Sequence, residues 1–337
     1  MTKQTILTLK NISKHYSKPK LFTKKKFGLP AIEDLSLELK DGEILGLIGE
    51  SGSGKTTTGK SILRLTDIDE GSISLFGNDI TNISERQMRP KRKHIQMIFQ
   101  DLDAALNPNI KIGNILTEII RRHHKTSKAD TKTRLNQLIK DVHLEEDILT
   151  RYSSELSGGQ KRRIAIASAL AVEPKIIIAD EPTTGLDNYT QSVIMRLIMD
   201  LQKHKNLSMI LISHDLQLVK SMCQRIAVMY LGNIIEIGKA QQISENPAHP
   251  YSALLWRSHL SQTKHQARSK RKHDIQSGLF DFARPNQGCR FAPRCEQYIK
   301  MGKPAKCTEE LEKPVLDGHN DEHSVACHFP LNTENNK

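Results

Sequence analysis

Near the amino terminus the chain alternates apolar with polar side chains, over Thr5 to Leu9 and again over Leu35 to Leu39. That period of two predicts strands with one face buried and the other wet. Three later stretches are apolar almost without interruption: EILGLI at 43–48, KIIIAD at 175–180 and SMILIS at 208–213. Short continuous runs of this kind predict central strands covered on both faces. Between the first two, from about 101 to 172, the period becomes helical. Ile112, Ile115, Leu116, Ile119 and Ile120 share one helix face, and Leu135, Leu138, Ile139 and Val142 share another. IAVMY and NIIEIG, joined through Leu231 and Gly232, predict a closing hairpin over 226–238. The pattern is a strand-rich core with an inserted helical block, ending near 245, and it contains no internal repeat.

Composition narrows the class. At 337 residues, 37% of them hydrophobic, the chain can build one large domain and an appendage. Its longest apolar runs are far too short to cross a bilayer, and MTKQTILTLKN has no apolar stretch of signal-peptide length. The expectation is a soluble, cytosolic chain that meets a membrane only through a partner or its surface. The net charge of +12 is unevenly placed: KPKLFTKKK at 18–26 and the run from Arg257 to Lys272 contain no acid. They read either as a solvated loop and a solvated linker, or as contacts for anionic headgroups or nucleic acid. No aromatic residue is interleaved in the second run, which leaves base stacking poorly supported.

The chemistry begins after the first continuous run. Gly49-Glu50-Ser51-Gly52-Ser53-Gly54-Lys55-Thr56 fits G-x-x-x-x-G-K-[ST] between a buried strand and a helical stretch, the setting a phosphate loop needs. Its glycines let several N–H groups converge, and the helix N-terminus adds positive partial charge. Lys55 is expected to reach the β- and γ-phosphates, Thr56 to take one Mg²⁺ position, and Thr57 to lie beside them. The strand IIIAD ends in Asp180-Glu181. An aspartate there can hold Mg²⁺, and the glutamate can polarise an attacking water. These features indicate an ATPase or a GTPase.

A second small-residue loop follows, Ser157-Gly158-Gly159-Gln160. Ser157 is a natural N-cap and Gln160 its capping-box partner, and the helix is expected to stop at Glu173-Pro174. With the other motifs, LSGGQ resembles the signature of the ATP-binding cassette (ABC) ATPases. The resemblance covers residues 1 to about 250. It implies a P-loop NTPase of ABC type: an α/β fold with a RecA-like mixed-sheet core, an antiparallel β subdomain and an inserted helical subdomain. It also implies head-to-tail pairing, each signature closing over the partner's nucleotide. By the same resemblance Gln100 in MIFQD is the Q-loop glutamine near Mg²⁺ and water, and His214 in ISHD is the switch histidine. Asp187 in TGLD is the D-loop aspartate at the dimer seam, and Tyr16 in ISKHY is the aromatic that stacks on adenine, favouring ATP.

Cys223 sits alone in an apolar helical stretch and reads as core. Cys289, Cys295, Cys307 and Cys327 are separated by five, eleven and nineteen residues, which is not the paired spacing of a zinc ribbon. Thiols in a reducing compartment are poor disulfide candidates. They suit zinc, an iron–sulfur cluster or no ligand. NPAHPYSALLW followed by GCRFAPRC resembles the C-terminal extension of the ATPases that power oligopeptide and dipeptide importers, and IFQDLDAALNP resembles their Q-loop segment. Some members hold an iron–sulfur cluster on four such cysteines, and the group includes nickel and metallophore importers. TGLD in place of SALD, and Leu102 where proline is common, depart from the pattern. The expected organisation is an ATPase domain over 1–250, a basic linker over 251–285 and a small cysteine-containing extension over 286–330. The expected partners are a second ABC ATPase subunit, paralogous or identical, two permease subunits and an extracytoplasmic binding protein, at the cytoplasmic face of the membrane. The competing readings are an exporter ATPase and ABC-type repair or translation ATPases. The latter two need two cassettes in one chain, so no nucleic-acid partner is expected.

Overall fold

The computed structural model describes residues 4–16, 30–101, 106–263, 288–308, 314–320 and 323–331. The basic run at 18–26, Leu102 and most of the second basic run lie outside the described residues. The first half of the chain forms β1 (Thr5–Lys14), β2 (Ile32–Lys40), β3 (Ile44–Ile48), α1 (Lys55–Ile62), β4 (Glu70–Leu75), β5 (Asn78–Asp79), α2 (Glu85–Lys91) and β6 (Ile95–Ile98). Then come α3 (Ile112–His123), α4 (Lys128–Asp141), α5 (Gly158–Leu170), β7 (Ile176–Asp180), α6 (Asn188–Lys205), β8 (Ser208–Ile212) and α7 (Leu216–Met222). The remainder is β9 (Arg225–Tyr230), β10 (Asn233–Lys239), α8 (Ala240–Glu245), α9 (Pro250–Thr263), α10 (Glu296–Lys300), β11 (Asp317–Asn320) and β12 (His323–Val325).

Two sheets result. The antiparallel one runs β2-β1-β4-β5, and the mixed one runs β11-β12-β10-β9-β3-β8-β7-β6. The continuous apolar runs are explained by two cores on opposite faces of the mixed sheet. Along β7, Ile176 and Ile178 enter the core shared with the antiparallel sheet, while Ile177 and Ala179 enter the core shared with the helices. Each buried isoleucine contributes about 1.5–3 kcal/mol of transfer free energy. Strands β6, β7, β8, β3 and β9 are mutually parallel. Their C-terminal ends therefore open on one edge of the sheet, where ligands bind in open α/β sheets.

The helical block follows its periodicity. Ile112, Leu116 and Ile120 of α3 and Leu135, Leu138 and Ile139 of α4 are buried, and Val142 follows them into the core. Cys223 is core as expected, its thiol pushed well above the usual range by burial.

The first residues of the expected linker over 251–285 are not a solvated linker, and residues 264–285 lie outside the described residues. Helix α9 occupies its first part, with Tyr251 fully buried and Trp256 nearly so. Those two rings have more apolar surface than a solvated linker can leave in water, and they pack with the helix-side core. Further on, β12 pairs antiparallel with β10 through Glu236↔Val325 and Ile237↔Ser324. The cysteine-bearing extension thus lengthens the same sheet that holds the phosphate loop. Buried Glu236 ties this together: it accepts from the N–H of Ala248 at 2.6 Å and of His249 at 3.0 Å, and lies 2.7 Å from His323 Nε2. A buried carboxylate is tolerated because it has such partners.

Candidate active site

Strand β3 delivers the chain into the loop at 49–54. Gly49 has φ 151° and Gly54 φ 108°. A Cβ on either would fall 2.1 Å from a carbonyl oxygen, that of Met229 or of Ala31, so no other residue fits without moving the backbone. Lys55 opens α1, and its ammonium donates to the carbonyls of Gly49 at 2.7 Å and Glu50 at 2.8 Å. Burial lowers the Lys55 pKa against the opposing pull of Glu181, Asp180 and Glu50. Glu50, Ser51 and Gly52 are exposed, Ser53 is buried, and Thr56 and Thr57 are half-buried.

The acidic pair stands two strands away. Thr56 Oγ1 donates to Asp180 Oδ1 at 3.2 Å, which puts the two expected Mg²⁺ oxygens side by side. These are hard oxygen donors of the kind Mg²⁺ takes, so the residues fit that ion. Burial raises the Asp180 pKa, opposed by the Thr56 hydrogen bond and reinforced by Glu181. Glu181 has φ 49°, a left-handed conformation that a non-glycine residue rarely adopts, held by its N–H donating to Ile212 O at 2.9 Å. His214, just after β8, lies with Nδ1 2.7 Å from Glu181 Oε2, and the Thr184 hydroxyl donates to the same oxygen at 2.9 Å. Gln100, two residues beyond β6, is exposed on the same edge. The arrangement brings the glycine-rich loop, the Thr56–Asp180 oxygen pair, the Glu181 carboxylate and the His214 imidazole, all expected site residues, together at one sheet edge.

The second loop does not join that cluster. Ser157 caps α5, its Oγ accepting from Gln160 N at 3.2 Å while Ser157 N donates to Gln160 Oε1 at 3.0 Å. Gly158 and Gly159 lie against Leu186 and Thr190 rather than against the phosphate loop. Between those two residues Asp187 caps α6, accepting from Thr190 N at 3.0 Å, with its pKa held down by the Thr190 hydroxyl. The signature and the D-loop aspartate thus share an exposed surface of their own.

Comparison with known proteins points to the family the motifs resemble. The ABC transporter family profile matches residues 32–184, and the profile of the oligopeptide/dipeptide transporter C-terminal region matches 235–301. The oligopeptide transport ATP-binding protein AppF of Bacillus subtilis is 38% identical over 97% of this chain and 98% of its own length. OppF of Salmonella typhimurium, another oligopeptide transport ATP-binding protein, is 38% identical over 89% and 87%. The chain belongs to the ABC transporter ATPases. Among solved structures, the MJ0796 cassette in a dimeric post-hydrolysis state bound to ADP and Pi is similar. It has a TM-score of 0.62 and 28% identity, covering 70% of this chain and 99% of that one. The cassette cbiO1 of Clostridium perfringens has a TM-score of 0.63 and 27% identity, covering 72% and 92%.

Two further parts of the cassette bear on the site. Tyr16 is exposed with Lys14 Nζ 5.9 Å from its ring centroid. Its segment runs beside the phosphate loop, since Ala31, the neighbour of Gly54, donates to Lys14 O at 2.8 Å. Arg162, the fifth residue of α5, carries no sequence signal that marks it as functional. It is buried, and its guanidinium donates to the carbonyls of Phe99 and Thr184 at 3.2 Å and Gln100 at 3.5 Å. One side chain thereby ties the signature helix to the Q-loop and to the residue that holds Glu181. In the sequence it stands within Lys161-Arg162-Arg163, where nothing distinguishes it from its two basic neighbours.

Cys289, Cys295, Cys307 and Cys327 line one cavity with His249, Phe291 and Tyr298. Burial raises the Cys289 thiol to about 11 and the Cys327 thiol to about 12. The donor chemistry suits a soft metal or cluster. Among the described residues, however, no three ligating side chains stand close enough together to hold an ion. No helix among the described residues is long and apolar enough to cross a membrane.

Proposed function

We infer that the chain is the ATP-hydrolysing subunit of an importer for oligopeptides or dipeptides. In this reading it works at the cytoplasmic membrane face with a second cassette, two permease subunits and an extracytoplasmic binding protein. The cargo class is supported by the C-terminal region match at 235–301 and by the names of the relatives. The observation that carries the mechanism is the separation of the two phosphate-type loops in one chain. The phosphate loop lies beside Asp180, Glu181 and His214, while Ser157–Gln160 faces outward beside Asp187.

Lys55, Thr56, Asp180 and Gln100 would hold the phosphates of ATP and the Mg²⁺ that neutralises their charge, with Tyr16 against the adenine. The opposing cassette's signature then covers the γ-phosphate. Glu181 takes a proton from the attacking water, and His214 orients that carboxylate. Closing the seam drives the permease outward-open, and hydrolysis resets it. With turnover blocked by Glu181→Gln, ATP should produce face-to-face cassette pairs detectable by crosslinking or scattering. Solitary cassettes in ATP, with the natural counterpart present, would defeat the reading. Purified transporter in vesicles should also accumulate peptide only with ATP and the binding protein.

The four extension cysteines are assigned in the same reading to an iron–sulfur cluster, on the strength of their soft donor set and shared cavity; because no three of them stand close enough together in this structure to hold an ion, the cluster would have to draw the thiols inward. Anaerobic treatment with iron and sulfide should give a visible charge-transfer band that Cys289→Ser abolishes; a colourless product refutes the assignment.

A further inference from the structure

Four hydrogen bonds hold the phosphate loop to segments that lie far along the chain. Glu50 N donates to the Tyr251 phenol oxygen at 2.9 Å. Gly232 N donates to Ser53 O at 2.9 Å. The Glu50 carboxylate receives both arms of the Arg294 guanidinium, Nη1 to Oε2 at 2.8 Å and Nη2 to Oε1 at 2.7 Å. Arg294 belongs to the extension, one residue before Cys295. Its guanidinium lies 5.9 Å from the ring centroids of both Tyr230 and Phe291. Those rings pack on Tyr251 and on each other, at centroid distances of 4.6 to 5.4 Å. Arg294 is thus held by aromatic rings before it meets the loop.

We propose that Arg294 is a positioning residue for ATP, acting through Glu50, and that the extension is therefore a working part of the nucleotide site. Two physical reasons support this. A glycine-rich loop has wide conformational freedom, and a bidentate arginine–carboxylate pair fixes both direction and distance. Setting the loop in advance removes an ordering cost from nucleotide binding. In addition, a carboxylate within a phosphate loop has the wrong sign for a polyphosphate, and its field reaches Lys55. The guanidinium cancels that charge where it stands.

The inference depends on ATP hydrolysis by this chain and not on the cargo, so a failed peptide-uptake assay leaves it intact. The test uses the full-length chain in the assembled transporter. KM for ATP, kcat and the nucleotide-free melting temperature are measured for Arg294→Ala, Glu50→Gln and the double variant. Arg294→Ala should raise KM for ATP about 5- to 20-fold with a smaller change in kcat. Glu50→Gln should raise it less, and the double variant should be no worse than Arg294→Ala, because removing the carboxylate removes the uncancelled charge. A purely structural role would lower the melting temperature and leave KM alone. A KM within twofold of the unmutated value overturns the proposal, and so do single effects that multiply in the double variant. If Arg294→Ala does not fold, Arg294→Lys decides. It keeps the charge but not the fork, so an intermediate rise in KM supports the proposal and an unchanged KM overturns it.

Discussion

His214 and Glu181 are 33 positions apart in the chain, yet Nδ1 of one stands 2.7 Å from Oε2 of the other. The Thr184 hydroxyl grips the same carboxylate oxygen, and the left-handed backbone at Glu181 sets its direction. A base aimed in this way is suited to accept a proton from water. Replacing Glu181 with Gln should leave ATP binding intact and lower kcat by roughly 10²–10⁴. His214→Ala should also lower kcat, with little effect on KM. Phosphate release and nucleotide binding measured side by side check both, and an unchanged kcat for Glu181→Gln would remove its assigned role.

Asp180 sits where function and stability conflict. Burial raises its pKa in the fold, so ionising the carboxyl is less favourable in the native state than in the unfolded chain. For an acid raised in this way, the stabilising contribution is present below its ordinary pKa and is lost as pH climbs through the raised value. Asp180→Asn should therefore melt at the same temperature as the unmutated chain in acid, and higher near neutrality without nucleotide. The same variant should lose Mg²⁺-dependent hydrolysis. Melting curves at a series of pH values test the first half of this, and a variant less stable at neutral pH would contradict it.

Arg162 satisfies three carbonyls from a buried position. Arg162→Ala strands them and should lower stability by about 2–4 kcal/mol, the range for breaking a buried hydrogen-bonded charge. Because the strand end near Gln100 and the Thr184 carbonyl lose their common anchor, hydrolysis per folded molecule should fall as well. Denaturant unfolding combined with activity corrected for folded fraction separates the two effects.

Gly46 in β3 gives a packing test away from the site. A Cβ there would lie 2.5 Å from Val219 Cγ1 and 3.0 Å from Cys223 Sγ. Gly46→Ala should cost about 1–3 kcal/mol by overpacking α7 against the sheet. Adding Val219→Ala should recover part of that loss, a non-additivity expected of touching residues.

Much of this molecule was decided by interactions within a few residues. Two-fold and helical periods predicted β1, β2, α3 and α4, because each residue's face follows from its neighbours. The capping box at Ser157 and Gln160 spans three positions and formed as its spacing predicted. The phosphate loop is likewise a local object, with its glycines required where the backbone turns at Gly49 and Gly54. The tertiary structure alone decided which charges are used. Lys161, Arg162 and Arg163 are alike in sequence until the fold buries one of them beneath the Q-loop. Arg294 meets Glu50 across 244 residues, and Glu236 meets His323 across 87. Such pairings depend on how strands and helices stack, which no short window contains. The linker reading of residues 251–263 failed for the same reason: a helix end is solvated or buried according to what packs on it, and Tyr251 and Trp256 found a core.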